Sequence, residues 1–320
     1  MKLLITGFTG FVSPHFLDLL QREEPGSEVL GIDKNAPDFD FNAYPSLSIG
    51  FKQVDLLDQQ ATQDTLASFK PECILHLASV SSVAKSWQTP VDCFANNTNI
   101  FLHVAEAIRA MKLPTRILSV GSSEEFGIIP DHELPLTENS LLKPTSPYAV
   151  ARVAQEMLSK VFADGYALDI IMTRSFNHIG PGQKEIFVIS SWAKQLTMLA
   201  KTNAPDKKLI TGDLSVIRDF VDVRDVVKAY YLLLKKGKRG EVYNICSGNG
   251  RMLKDIVNEM TSILNITVTT VTDPALVRPA ENKKIIGSYE KIKNELGWKP
   301  SISIEKSLTD IIEYWKNNNR

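Results

Sequence analysis

The sequence predicts an α/β fold, a doubly wound parallel (Rossmann) sheet with a smaller C-terminal substrate-binding lobe. Three observations predict it. Short β-branched runs alternate with amphipathic stretches through the first half, and the strand runs are near-continuously apolar. A glycine-bearing turn joins the first strand to the first helix.

"KLLITG" (2–7) opens the sheet, and the turn "TGFTGFVS" (6–13) leads into a helix with Ser13 expected as its cap and Pro14 at its first position. "VLGID" (29–33), "FKQVDL" (51–56), "CILHLA" (73–78) and "RILSVGS" (116–122) read as the next strands. Between them lie helical patterns such as "DQQATQDTLASF" and "NIFLHVAEAIRAM". The stretch "SPYAVARVAQEML" begins a helix expected to run to Gly165, and "DIIMTRSF" (169–176) is a further strand. Beyond it the alternation loosens. A Gly/Pro-rich loop, "NHIGPGQKEIF", precedes a helix near 187–201, then "RDFVDVRDVVKAYYLLL", the strand "EVYNICSG", and a tail with "LGWKP" and a last helix. This divides the chain into a dinucleotide-binding domain, 1–173, and a smaller substrate lobe, 174–320, interleaved with the end of the sheet.

Composition excludes several classes. The 320 residues are 43% hydrophobic and 23% charged, with a formal net charge of −1. That balance gives no electrostatic case for nucleic acid or an anionic membrane as partner. Cys73, Cys93 and Cys246 are far apart, and the histidines form no H-E-x-x-H, so neither a disulfide framework nor a metal site is expected. Glycines break the apolar N-terminal stretch, no cleavage site follows, and no apolar run approaches the ~20 residues of a membrane helix. The expected setting is the cytoplasm.

Gly7 and Gly10 are spaced for a tight turn and for backbone approach to a pyrophosphate at a helix N-terminus. Asp33 ends the second strand, where a carboxylate accepts hydrogen bonds from the adenosine ribose, which favours NAD(H). Lys34 offsets part of its repulsion for a 2′-phosphate, so NADP(H) stays admissible. Asp55 is placed to hold the adenine amino group. "GSSEEFG" (121–127) follows the fifth strand at the carboxyl edge, where such folds bind ligands. Tyr148 and Arg152 lie four residues apart on one helix face. A phenol with a pKa near 10 needs a cation to act as an acid–base group at neutral pH. His76, inside a strand, reads as a core histidine.

Together these stretches resemble the extended short-chain dehydrogenase/reductase superfamily, the NAD-dependent epimerases and dehydratases of nucleotide sugars. The resemblance rests on the glycine turn, "LHLAS" (75–79), Asn97, "GSSEEFG", "SPYAVAR", "RSFNHIGPGQ" (174–183), "RDFVDVRD" (218–225), "YNICSG", "RPAE" (278–281) and "LGWKP". With "SWAKQL", the sequence is most similar to the GDP-4-keto-6-deoxymannose reductases of that superfamily. The resemblance implies that Ser122 hydrogen-bonds the reacting C4 oxygen, Tyr148 donates the proton, and Arg152 stands where the family's lysine holds the nicotinamide ribose. It implies a coenzyme site that also uses Phe11, Val12 and Leu56, with Leu77, Ala78 and Ser79 after the fourth strand. Asn97, Val120, Phe176 and His178 complete that site. A GDP-linked 4-keto-6-deoxy sugar would meet Ser122, Ser123, Asn177, Val188, Lys194, Arg218, Arg278 and Glu281. A homodimer through a four-helix face is implied as well.

Three positions depart from the pattern: Ser13 for a third glycine, Phe126 for a tyrosine, and Arg152 for the lysine. Arginine keeps the charge and the donors, but it cannot relay a proton. Two other functions compete with the reductase. Glu124 stands where the superfamily's dehydratases carry the glutamate that takes the C5 proton, which gives a 4,6-dehydratase or 4-epimerase. A protein that binds a dinucleotide without catalysis is the third.

Overall fold

A computed structural model describes residues 1–277 and 282–318. The first half runs β1 (Lys2–Thr6), α1 (Val12–Glu23), β2 (Glu28–Asp33), β3 (Ser48–Gln53), α2 (Gln59–Phe69) and β4 (Cys73–His76). It continues with α3 (Val83–Gln88), α4 (Pro90–Met111), β5 (Arg116–Ser122), α5 (Pro147–Gly165) and β6 (Asp169–Ser175). The second half contains β7 (Asn177–Ile179), α6 (Val188–Ala200), β8 (Lys208–Thr211), β9 (Ile217–Asp222), α7 (Val223–Lys236) and β10 (Val242–Ile245). Then come β11 (Gly250–Met252), α8 (Leu253–Leu264), β12 (Thr269–Thr272), β13 (Lys284–Ile285), α9 (Glu290–Leu296) and α10 (Ile304–Asn318).

The main sheet has seven strands in the order β10-β6-β5-β4-β1-β2-β3, every pair parallel. This is the doubly wound arrangement expected from the alternating pattern. Because strand order reverses between β1 and β4, the chain leaves these neighbours in opposite directions and opens a crevice at their carboxyl ends. One face packs Phe16, Leu17 and Leu20 of α1 with Val226, Tyr230 and Leu233 of α7. The other packs Leu66 of α2, Phe101, Val104 and Ile108 of α4, and Phe162 of α5. A second core joins α6, α8 and α10 through Trp192, Leu196, Ile256, Met260 and Ile312. Thus α7, α9 and β10 belong to the main sheet's layers, although they come from the second half of the chain.

Two local expectations are corrected. The third strand spans 48–53, not 51–56, and lies mostly exposed at the sheet edge. An edge strand buries little, so its apolar pattern is weak, and Asp55 falls in the turn beyond it. Helix α1 starts at Val12 with Phe11 at its N-cap and no side-chain cap. Ser13 and Pro14 therefore lie inside the first turn, and the Ser13 hydroxyl is buried without a partner.

The "RDFVDVRD" stretch is a junction. The Asp219 carboxylate accepts from Ser247 N (2.8 Å), Gly248 N (2.9 Å) and Gly287 N (3.2 Å). Asp222 caps α7 and accepts from Ser307 Oγ at 2.6 Å. Asp225 accepts from the backbone of Ser301 and Ile302, both at 2.7 Å, and these donors hold its pKa below the usual carboxylate value against the cost of burial. One turn of sequence thereby fixes three distant segments. Among the described residues no helix is long and apolar enough to cross a membrane.

A buried fork ties α5 to β6. Glu156 accepts from Arg174 Nε (2.8 Å) and Nη2 (2.7 Å), and both side chains are almost fully buried. Glu156→Gln leaves the Arg174 charge underpaired and is expected to lower unfolding free energy by about 3–5 kcal/mol in urea titrations. Gly7 has φ +68°, and an added Cβ would stand 2.7 Å from Ala78 N. Gly7→Ala should therefore cost at least about 1–3 kcal/mol in urea titrations from backbone conformation alone.

Candidate active site

The site forms where the loops after β1, β4 and β5 meet the first turn of α5. Gly7 lets the glycine turn press against Leu77–Ala78, and Thr6 Oγ1 accepts from Ala78 N at 3.1 Å. Gly10 N donates to Gly7 O at 3.0 Å, which tightens the turn before α1. Since Phe11 offers no side-chain cap and Ser13 N donates to Gly10 O at 3.1 Å, the Val12 amide at the start of α1 is the one left for an anion among these first two. The turn and the uncapped helix start thus fit a dinucleotide diphosphate.

Asp33 stands at the end of β2, and its carboxylate accepts from Thr9 N (3.1 Å) and Thr9 Oγ1 (2.8 Å). Lys34 pairs with Asp55 at 3.2 Å, and Asp55 also accepts from Leu57 N. Leu56 is buried, and its carbonyl accepts from His103. Asn97, fully buried in α4, clasps the loop past Ser79: its Oδ1 accepts from Val80 N (2.7 Å) and its Nδ2 donates to Val80 O (3.2 Å).

Ser122 ends β5 and opens a short helical turn. Its hydroxyl accepts from Glu124 N (3.2 Å), and its own N–H donates to Glu125 Oε1 (2.7 Å). Burial, and next the Glu156 charge, push Glu125 well above the usual carboxylate range, which favours its protonated form. Ser123 is buried, and Glu124 is partly buried. Phe126 packs in the core against Phe176, with the Arg174 guanidinium 4.9 Å from its ring centre. The departure from tyrosine thus falls at an apolar position.

Ser146 caps α5 by accepting from Ala149 N, which places Tyr148 and Arg152 on the buried face. Burial raises the Tyr148 pKa, while the Arg152 charge and the Ser122 hydroxyl lower it; Glu124 and Glu125 push upward with burial. The net direction is upward, so the phenol keeps its proton. Arg152 is also buried, with its guanidinium carbon 5.9 Å from the Tyr148 ring centre. Its Nη1 donates to Gln155 Oε1 (2.9 Å) and its Nη2 to the Val120 carbonyl, while Nε has no partner.

His178 stacks on Phe11 with ring centres 5.6 Å apart, and its Nδ1 contacts Phe176 O at 3.3 Å. Burial lowers its pKa to about 4, so it is neutral. His15 contacts Pro181 O at 2.9 Å, a second link between the "NHIGPGQ" loop and the glycine turn. His76 is a neutral core histidine: Nδ1 lies 3.0 Å from Thr6 Oγ1, and burial lowers its pKa to about 3.

The expected sugar-site residues are less tightly gathered. Asn177 pairs with Phe220 across β7 and β9, and Val188 begins α6, half-exposed. Lys194 pairs with Glu185 at 2.9 Å, and Arg218 is buried with Nη1 donating to Ile217 O. Arg278 and Glu281 lie outside the described residues. The Phe176 ring is buried among Phe126, Leu136, Cys246 and Ile285, and its N–H donates to Ile245 O at 2.9 Å. Sequence reading missed Thr9, Glu125 and Gln155. Only Gln155 left a signal, three residues after Arg152 on the same helical face.

A family model described as GDP-mannose 4,6 dehydratase matches residues 4–311. The GDP-6-deoxy-D-mannose reductase of Pseudomonas aeruginosa is 31% identical over 319 residues, covering 100% of this chain and 98% of the relative. The dTDP-glucose 4,6-dehydratase of Haemophilus influenzae is 28% identical over 346 residues, covering 99% and 98%. Among solved structures, RMD from Pseudomonas aeruginosa complexed with NADPH is similar at a TM-score of 0.84 and 29% identity, with 99% of each chain covered. UDP-glucose 4-epimerase from Thermotoga maritima with UDP-glucose gives 0.89 and 26%, with 100% of each chain covered. With the match running nearly end to end, the chain belongs to the GDP-mannose 4,6 dehydratase family, within the extended short-chain dehydrogenase/reductase superfamily of NAD(P)-dependent nucleotide-sugar oxidoreductases.

Proposed function

We propose that the chain reduces the C4 ketone of a GDP-4-keto-6-deoxyhexose, giving GDP-D-rhamnose or its C4 epimer. The observation that carries this reading is the protonated Tyr148 beside Ser122, with Arg152 turned onto neutral acceptors. Reduction needs an acid at the carbonyl oxygen, and a buried phenol is one. The likeness to the GDP-6-deoxy-D-mannose reductase supports the substrate class.

NAD(P)H, when bound, supplies the hydride that adds to C4. As the C4–O π bond breaks, the oxygen takes the Tyr148 proton, and the Ser122 hydroxyl steadies the charge that develops there. Tyr148 is reprotonated from water through Ser122, a path that does not pass through Arg152. Asp33 favours NAD(H), and Lys34, released from Asp55, would admit NADP(H). Asn177, Lys194 and Arg218, with Arg278 and Glu281, are proposed for the sugar nucleotide, where guanidinium forks suit a diphosphate.

A 4,6-dehydratase or 4-epimerase begins by oxidising C4, so it needs tyrosinate. The protonated phenol speaks against that, although Glu124 stands near enough to act on Tyr148. Turnover of GDP-mannose without added NADH would favour the dehydratase. Coenzyme binding with no sugar turnover would leave the non-catalytic reading.

A homodimer fits the surface of α3, α4 and α5, and we place the protein in the cytoplasm. Trp87, Val91 (77% exposed) and Phe94 line a groove of about 740 Å³ with Pro147 and Val150, and Met157 and Val161 extend the apolar face along α5. A second copy would cover this face as a four-helix layer.

Purified protein with GDP-4-keto-6-deoxymannose should consume reduced nicotinamide, seen as loss of its absorbance; no loss with either coenzyme would sink the reading. Tyr148→Phe should lower kcat by roughly 100-fold or more, whereas Arg152→Lys should stay within about tenfold of the parent or exceed it. The raised Tyr148 pKa sets the pH dependence. The acid form persists upward, so reduction should show no basic limb below about pH 10 while the reverse oxidation rises with pH. Val91→Glu with Phe94→Glu should convert a dimer to a monomer in sedimentation velocity.

A further inference from the structure

Arginine is an awkward substitute for lysine at position 152. An ammonium has three rotatable donors on a compact head, while a guanidinium is a rigid planar fork whose edges must be aimed. Something must fix that plane.

Gln155, one turn on along α5 and almost fully buried, is placed to do so. Its Nε2 donates to Ser119 Oγ (2.8 Å) and lies 3.3 Å from the Val120 carbonyl. Both partners serve as acceptors, so the amide orientation is determined and Oε1 faces the guanidinium. Ser119 is steadied in turn by Ser159 Oγ at 2.9 Å. Oε1 then takes Arg152 Nη1, and the Val120 carbonyl takes Nη2. Nη1 is thereby committed to α5 and Nη2 to β5, and among the described residues the buried Nε is the one guanidinium nitrogen with no partner.

We propose that Gln155 is the positioning residue that lets arginine serve at this place, by locking the fork so that Nε–H is left as the donor to a bound coenzyme hydroxyl. The proposal rests on the coenzyme site of the reading above. It makes Gln155 and Arg152 a matched pair. Once the fork is replaced by an ammonium, the amide has nothing left to aim.

The test is a double-mutant cycle of Gln155→Met and Arg152→Lys, read by coenzyme dissociation constant (quenching of tryptophan fluorescence) and by the pH profile of kcat. Gln155→Met alone should weaken coenzyme binding about tenfold and move the pH at which kcat of the reverse oxidation rises. In the Arg152→Lys background it should change the dissociation constant less than about twofold. Parent-like binding and profile in Gln155→Met, or equal losses in both backgrounds, would overturn the proposal. Should Gln155→Met fail to fold, Ser119→Ala frees the amide without touching the fork. It should weaken coenzyme binding about threefold, again only where Arg152 is present, and no loss overturns the proposal. A parent that binds coenzyme but turns over no sugar sinks the reductase reading alone, since the binding cycle uses no substrate. A parent that binds no coenzyme overturns both.

Discussion

A permanently charged guanidinium buried beside the carboxyl end of β5 sets the conditions for the rest of the site. Arg152 lies among Tyr148, His76, Cys93, Tyr230 and Glu125, and its field enters the protonation of each. Among the described residues its hydrogen-bond acceptors are neutral, an amide and a carbonyl. The charge is therefore held without being cancelled. Arg174, nearby, is the opposite case, since it is forked onto Glu156 and its charge is spent on joining α5 to β6. Two buried arginines thus divide into a structural one and one whose charge stays available.

That availability depends on the neighbouring carboxylates. Glu125 would neutralise the site if ionised, but burial and the Glu156 charge raise its pKa and disfavour that form. Its remaining work is to fix the backbone at Ser122 by accepting that residue's N–H. Ser122, Tyr148 and Arg152 are in this way assembled from β5 and α5, two elements bound by the same buried polar layer. Catalytic groups carried on rigid elements keep their separation, which a loop would not guarantee.

The parallel sheet was readable because period and burial agree: strands covered on both faces carry short continuous apolar runs, as at 3–5, 73–75 and 117–118. The third strand misled by register because an edge strand carries little burial signal. Ser13 misled because serine is a good cap in isolation, yet the approach of the turn to Ala78 starts the helix two residues earlier. Phe176 packs in the core beside the site, a direction that its place in the motif does not carry. The spacing of Gln155 from Arg152 was readable, but its hydrogen bonds were not, because an amide is informative only when its partners are known.

What the sequence by itself determined is the alternation, the glycine turn, and the order of Ser122, Tyr148 and Arg152 along the chain. These follow from local rules, namely hydrophobic period, backbone freedom at Gly7, and helical spacing. The tertiary structure decided where the fork of Arg152 points, and that burial raises the pKa of both Glu125 and Tyr148. Those outcomes depend on desolvation and on acceptors supplied by β5, and burial is a property of the packed chain that no single segment carries.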